Sequence, residues 1–373
     1  MKIGIDALGI EKASGGRTAT INLLQPLFEI DAENEYLVAV SSVEPLFKSE
    51  HDNVTQWILP VHNRFLKRGY AQFSLPKKLN QYNVVHFTKN LSLFGITAPK
   101  IITVYDLSML KFPSLMPVSD YIYWNTIQRI HLKAAQRIVT ISQSASNDIQ
   151  HYYGIPQGKI SVIYPAISPK FKPATRDEIQ GIKVKYSLPS EYILHVGRID
   201  PIKNLTTLVK SFKRLKENFL FDGKLVLAGD FYRKSPDNEL LPTIRAESME
   251  NEVLLLGYVP DADLPALMSG ATLKAFPSHN EGFGLVALEA MACGTPVVAS
   301  KAGGALEEVI GDAGVIIESN DVDHLFDGLA RVLSNSEYQV ELRAKGFQRV
   351  KKFDWYDTAR QTLEVYQQVR KVK

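Results

Sequence analysis

Short apolar runs recur along the whole chain, each followed by polar or turn-forming residues. In the first half they fall at 2–6, 35–40, 84–87, 100–104 and 137–141. In the second half they fall at 192–196, 224–228, 253–256, 273–276, 297–299 and 314–317. Unbroken apolar runs of this length predict strands buried on both faces. Helix patterns lie between them, at 18–27, 204–218, 263–269 and 285–291. A last one at about 357–369 sets Leu363, Tyr366 and Val369 along one face. Alternating strand and helix predicts parallel sheets. The alternation pauses after Tyr164, where Pro165, Pro169 and Pro173 punctuate a polar stretch, and then restarts. The fold class expected is α/β, with two doubly wound domains whose ligands sit at the carboxyl ends of strands. No sequence period links the two halves.

Length agrees with this division, since 373 residues exceed what one ordinary core holds. Apolar content of 45% and charged content of 22% are those of a soluble globular enzyme. A net charge of +3 is too small to argue for nucleic acid. Cys293 is the only cysteine, which excludes an internal disulfide and a cysteine-rich metal site. It lies in the apolar run Ala290-Met-Ala-Cys-Gly294 and reads as a packed thiol. The opening Met1-Lys-Ile-Gly-Ile-Asp6 reads as a strand, and no run reaches the roughly 20 apolar residues of a membrane span. A cytoplasmic location is the expectation. Charge is nonetheless uneven. Residues 1–170 carry 17 Lys+Arg against 12 Asp+Glu, a net of +5, and the remainder carries 26 against 28, a net of −2. The excess gathers in 62–79, where Arg64, Lys67, Arg68, Lys77 and Lys78 interleave with Phe65, Tyr70 and Phe73 and no acid intervenes. Such a composition fits an anionic membrane surface, or a solvated helix face whose aromatics enter the core.

The most specific chemistry sits at 281–289, Glu-Gly-Phe-Gly-Leu-Val-Ala-Leu-Glu. A strand ending at Ala275-Phe-Pro-Ser-His279 runs into a glycine-rich turn and then into a helix that stops at Gly294, before Pro296 and the next strand. Amides at a helix start favour an anion. Glu281 stands at the mouth of the turn and Glu289 about two turns into the helix. Carboxylates grip hydroxyls and amides grip phosphate, so the pattern points to a phosphorylated polyol. Val196-Gly-Arg-Ile-Asp-Pro-Ile-Lys-Asn204 ends another strand, and Arg198 with Lys203 can clamp a diphosphate there, while Asn204 can cap the helix that follows. Ala13-Ser-Gly-Gly-Arg-Thr18 follows the first strand; Gly15 and Gly16 allow close approach of a phosphate or sugar, or simply a tight turn. Thr103-Val-Tyr-Asp-Leu107 brings Tyr105 and Asp106 to a strand end, facing a cleft or capping the next turn. Asp261-Ala-Asp263 reads as helix capping rather than a two-aspartate metal motif, and no other cluster has metal spacing. His195, on a buried strand, reads as a core residue or a support for the site.

Together these residues resemble the retaining glycosyltransferases of family 4, which have the GT-B fold. The resemblance spans nearly the whole chain and rests on the Gly15–Gly16 loop, Tyr105-Asp106, Arg198 with Lys203, Gly257-Tyr-Val259, and Glu281 to Glu289 followed by Ala290-Met-Ala-Cys-Gly-Thr-Pro296. It implies two facing Rossmann-like domains: an acceptor-binding domain over 1–168, a nucleotide-sugar donor domain over 169–355, and a terminal helix, 356–373, crossing back onto the first. Arg198 and Lys203 would hold the donor pyrophosphate in place of a metal. Glu281 would hold the transferred sugar, with the amides of Gly282, Phe283 and Gly284 nearby. The amides of Leu285 and Val286 would meet phosphate, and Glu289 would accept ribose hydroxyls. Tyr258 and Val259 would line the base pocket, and Gly15 and Gly16 would approach the donor from the other domain. The catalytic set would be Glu281, Arg198, Lys203, Tyr105 and Asp106, with Tyr105 assigned only as a cleft residue. Many relatives carry His-Asp where this chain has Tyr105-Asp106, and a tyrosine is a poor base near neutral pH. Either this position is not catalytic here, or its hydroxyl or backbone contributes.

The implied reaction moves a hexose, mannose or similar, from a nucleoside-diphosphate sugar (GDP-mannose or a UDP-sugar) to a glycan or lipid-linked acceptor. Neither a metal nor another cofactor is expected. The setting implied is cell-surface polysaccharide synthesis, on the inner face of the membrane. Two rivals share the fold: a non-hydrolysing sugar-nucleotide epimerase, and a nucleotide-sugar-binding protein without turnover.

Overall fold

The computed structural model describes residues 1–10, 15–48, 50–61, 64–115, 117–231, 239–301, 304–318 and 321–371. The chain divides into two compact units, 1–166 joined by 353–373, and 167–352. In the first, the strands are β1 (Lys2–Asp6), β2 (Glu35–Val40), β3 (Val54–Ile58), β4 (Val84–Phe87), β5 (Lys100–Val104), β6 (Arg137–Thr140) and β7 (Ile160–Val162). They make one parallel sheet in the order β3-β2-β1-β4-β5-β6-β7. Successive side chains leave a strand on opposite faces, so each run feeds two cores. Leu37, Val85, Phe87, Ile102 and Val104 enter one; Ile3, Ile5, Val38, Val84 and Ile101 enter the other. The edge strands β3 and β7 lie outside the runs read from the sequence. β3 is Val-Thr-Gln-Trp-Ile and only half-buried, and β7 is three residues long.

The unit is closed by the last helix, Trp355–Lys371. Ala359, Val365, Tyr366 and Val369 complete the core around Ile3 and Ile5. One polar clasp crosses that core: His86 on β4 places Nδ1 2.7 Å from the Tyr366 hydroxyl and Nε2 2.8 Å from Thr103 Oγ1. Burial holds the His86 imidazole down at about 3, so the ring is neutral. The chain leaves the first unit after Ala166, two residues before the expected 168, and rejoins it at Phe353, before the expected 356. The reason is a small apolar cluster in which Phe353 and Trp355 pack with Ala19, Leu23, Tyr105 and Ala166.

The second unit holds β8 (Tyr192–Val196), β9 (Lys224–Ala228), β10 (Val253–Gly257), β11 (Leu273–Phe276), β12 (Val297–Ser300) and β13 (Val315–Ile317). All are parallel, in the order β10-β9-β8-β11-β12-β13. The chain builds outward from β8 and then returns to place β11 on its other side. The order therefore reverses between β8 and β11, and ligands of doubly wound sheets bind beyond the carboxyl ends of such a pair. One face of the sheet packs on the helices Leu205–Glu217 and Val322–Leu333 through Ile193, Leu225, Leu273, Ala275, Leu208, Phe212 and Leu329.

The basic segment is a helix, Arg64–Leu79. Ala71, Leu75 and Leu79 are buried, whereas Phe73 is 79% and Tyr70 40% exposed, and Lys77 and Lys78 are exposed. These two aromatics do not enter the core. The side chains of Arg64, Phe65, Lys67 and Arg68 lie outside the described residues. Among the described residues, no helix is long and apolar enough to cross a membrane.

Candidate active site

Two loops meet at the reversal point of the second unit. The loop after β8 starts at Gly197 (φ +152) and passes against Gly229 so closely that a Cβ there would sit 1.9 Å from the Gly197 carbonyl. Beyond it, Arg198 projects outward with more than half of its side chain exposed, its guanidinium 3.5 Å from Asp200 Oδ2. A single 3₁₀ turn, Pro201–Lys203, then leads through Asn204 (φ +53) into the helix Leu205–Glu217. Asn204 occupies the cap position, but its carboxamide oxygen accepts from the Thr207 hydroxyl at 2.7 Å and caps no backbone amide.

The loop after β11 carries the Glu281 to Glu289 element. It is stitched to the first loop twice: the His279 amide donates to the Ile202 carbonyl at 2.7 Å, and Lys203 Nζ donates to Glu281 Oε1 at 2.5 Å. That ion pair is nearly sealed, its side chains 15% and 13% exposed. Lys203 Nζ also lies 5.9 Å from the centre of the Phe276 ring. Gly284 (φ +96) starts the helix Leu285–Ala292. A Cβ at Gly284 would stand 2.5 Å from Leu306 Cδ2, so only glycine permits the helix to begin here. The first amides of a helix have no carbonyl partner within it, which directs the amides of Leu285 and Val286 toward the loop mouth. Phe283 is buried and anchors the turn, Gly282 is half-buried, and Glu289 follows half-buried on the helix. Burial raises the Glu289 carboxyl to about 7, against the pull of Lys274 and Lys170.

Lys274, which the sequence reading passed over, lies under this assembly. It is fully buried on β11, with Nζ 3.4 Å from the Val196 carbonyl and 5.1 Å from the Phe276 ring centre. A lone lysine inside the apolar run 273–276 was the signal that could have found it. His195 is equally buried, its Nδ1 3.3 Å from the Ala275 carbonyl, and burial with the two lysine charges keeps it neutral.

The remaining candidates stand as follows. Val259 is buried and Tyr258 is 64% exposed, both just beyond β10. Asp263 begins the helix Leu264–Ser269 without capping it; its carboxylate accepts from Lys185 at 2.6 Å and the Tyr186 hydroxyl at 2.5 Å, and Asp261 pairs with Lys170 at 2.9 Å. The expected side-chain capping is thus replaced by ties to neighbouring segments. Among the described residues, no three His, Cys, Asp or Glu side chains gather to hold a metal ion. Cys293 is buried, its thiol pushed up to about 12. In the first unit, Gly15 and Gly16 open the helix Gly15–Ile30, which starts three residues earlier than its pattern predicts, and Ala13 and Ser14 lie outside the described residues. The Tyr105 hydroxyl donates to the Thr88 carbonyl at 3.0 Å, and burial raises it to about 12. Asp106 Oδ1 accepts from the Ser108 amide at 3.0 Å, the geometry of a residue closing its own turn.

Arg198, Lys203, Glu281, Glu289 and a helix start thus lie together at the reversal of a parallel sheet. Comparison with known proteins gives the class. The sequence profile described as Glycosyl transferases group 1 matches residues 178–349, and that of Glycosyltransferase Family 4 matches residues 30–171. The chain is 32% identical over 267 residues to O-antigen chain mannosyltransferase B of Escherichia coli, covering 71% of this chain and 69% of that one. It is 33% identical over 236 residues to the serotype-specific mannosyltransferase WbdA of Escherichia coli, covering 62% of this chain but only 28% of that protein. The crystal structure of HepE from Anabaena, in complex with UDP and glucose, superposes with a TM-score of 0.76 at 20% identity, over 98% of this chain and 99% of that one. The chain belongs to the family 4 glycosyltransferases, with the GT-B fold.

Proposed function

We propose that this glycosyltransferase moves a hexose, mannose first among the candidates, from a nucleoside-diphosphate sugar to a glycan or lipid-linked acceptor in cell-surface polysaccharide synthesis. The observation that carries the reading is the Lys203–Glu281 pair. It places a cation suited to diphosphate against a carboxylate suited to sugar hydroxyls, beside the helix start at Gly284. Mannose is favoured by two of the relatives, O-antigen chain mannosyltransferase B and the mannosyltransferase WbdA. GDP is then the first nucleotide to test and UDP the second.

In this reading Arg198 and Lys203 hold the pyrophosphate, and the amides of Leu285 and Val286 meet its oxygens. Glu281 holds the sugar, Glu289 the ribose, and Tyr258 and Val259 border the base. The barrier is charge growing on phosphate as the bond from sugar C1 to the phosphate oxygen breaks. Fixed positive charge aimed at that oxygen lowers it. Glu281 is itself engaged by Lys203. We therefore assign retention to front-face attack. The acceptor hydroxyl oxygen bonds to C1 from the face the phosphate leaves, and the departing phosphate oxygen takes the hydroxyl proton. Arg198 and Lys203 supply the charge a divalent ion would otherwise bring, so activity is expected to survive EDTA. Exposed Phe73 and Tyr70 beside Lys77 and Lys78 support peripheral binding to the inner face of a membrane.

A thermal-shift screen of GDP, UDP, ADP and their sugars tests donor binding: a rise in Tm with one family of ligands is expected, and none with any would overturn the reading. Arg198→Ala should lower kcat by about 10²–10³. Product analysis with and without acceptor separates transfer from epimerisation, because transfer consumes donor only when the acceptor is present.

A further inference from the structure

β11 is Leu273-Lys-Ala-Phe276, and all four residues are buried. Leu273 and Ala275 join the apolar core on one face of the sheet. Lys274 and Phe276 alternate with them and so point to the other, beneath the helix Leu285–Ala292. The would-be Cβ of Gly284 lies 3.7 Å from the Phe276 ring, which fixes the start of that helix on the same face. Lys274 therefore brings an ammonium group into the buried layer beneath that helix. A methionine or leucine would fill the same volume with no charge to desolvate. The hydrogen bond from Nζ to the Val196 carbonyl, 3.4 Å long, is a poor return for that cost.

The charges that face it explain the lysine better. Glu289 on the overlying helix attracts it most, Glu281 in the loop less, and Lys203 opposes them. His195 on β8 feels both lysines and stays neutral. Glu289 in turn is drawn by Lys274, then by Lys170, and repelled by Asp261. We propose that Lys274 is a positioning residue of the donor site: its buried ammonium, fixed beneath the helix Leu285–Ala292, keeps Glu289 a carboxylate, able to accept ligand hydroxyls near neutral pH. The inference rests on reading 281–289 as the donor site. Burial raises the Glu289 carboxyl and lowers the Lys274 ammonium, and the attraction between the two charges works against both effects.

The test is a carboxyl ¹³C NMR titration of the ligand-free full chain, with Glu289 assigned by its loss in Glu289→Gln. In Lys274→Met, the Glu289 midpoint is expected to move up by about one pH unit. The acid limb of GDP and UDP affinity should move with it, while affinity at pH 9 stays within about threefold of wild type. A Glu289 midpoint unchanged in Lys274→Met overturns the proposal and leaves Lys274 as packing. Lys274→Gln, which also removes the charge, gives the same reading should the methionine variant not fold. If the midpoint moves but wild type binds neither nucleotide, the positioning role stands and the donor-site reading fails instead.

Discussion

At the scale of single residues, the site is a balance of charges held at short range. Burial raises the Glu289 carboxyl to about 7, so its carboxylate fraction grows as the pH rises through that range. Below that it is a neutral acid with less capacity to accept from two ribose hydroxyls. Affinity for the nucleoside diphosphate should therefore rise about tenfold between pH 6 and pH 8, the worth of a charged over a neutral hydrogen bond. Calorimetric titration across that range checks this, and Glu289→Gln should flatten the curve. The residues of this site were legible in the sequence wherever a residue type had one physical use, as with glycine before a helix or glutamate after a turn. Lys274 was not legible as part of the site, because a strand pattern says which positions are buried but not what lies over them. The same holds for Asp263: its place at a helix start is local and readable, whereas its bonds to Lys185 and Tyr186 depend on tertiary packing.

At the scale of elements, glycines and one buried polar bond set the geometry. Gly284→Ala would force a side chain into φ +96 and against Leu306, at a cost of order 1–3 kcal/mol. The helix Leu285–Ala292 should shift, and donor affinity should fall more than stability does; chemical denaturation alongside ligand titration separates the two. In the first unit, Tyr366→Phe removes the hydroxyl from His86 in the core, which should cost about 1–2 kcal/mol, read as a lower denaturant midpoint. Fully buried strands were visible as apolar runs, and β1, β2, β4, β5, β8, β9 and β11 begin and end where those runs do. The edge strands β3 and β7 were not, since an edge is half solvated and the Thr-Gln pair at its centre breaks the pattern. The helix Arg64–Leu79 showed its charge in the sequence but not which way its aromatics turn, and that direction decides between core and surface.

At the scale of the whole molecule, charge is spread unevenly along the chain. The excess of positive charge lies in the first half, with exposed Phe73 and Tyr70 beside Lys77 and Lys78, and the paired cations and glutamates lie in the second unit. The chain is expected to co-sediment with vesicles containing anionic lipid at low salt and to leave them as salt rises. Replacing Tyr70, Phe73, Lys77 and Lys78 together should abolish that without changing nucleotide affinity. No sedimentation with anionic vesicles would remove the membrane from the proposal. The last helix carries a separate consequence. Because Ala359, Val365, Tyr366 and Val369 complete a core begun by Ile3 and Ile5, the first unit cannot finish its interior until the helix Trp355–Lys371 has been made. The half made second completes its own core with Leu325, Leu329, Val332 and Leu342, before the last helix is made. Maturation should run against the direction of translation, and nascent chains arrested before the last helix should offer chaperones an incomplete amino-terminal unit.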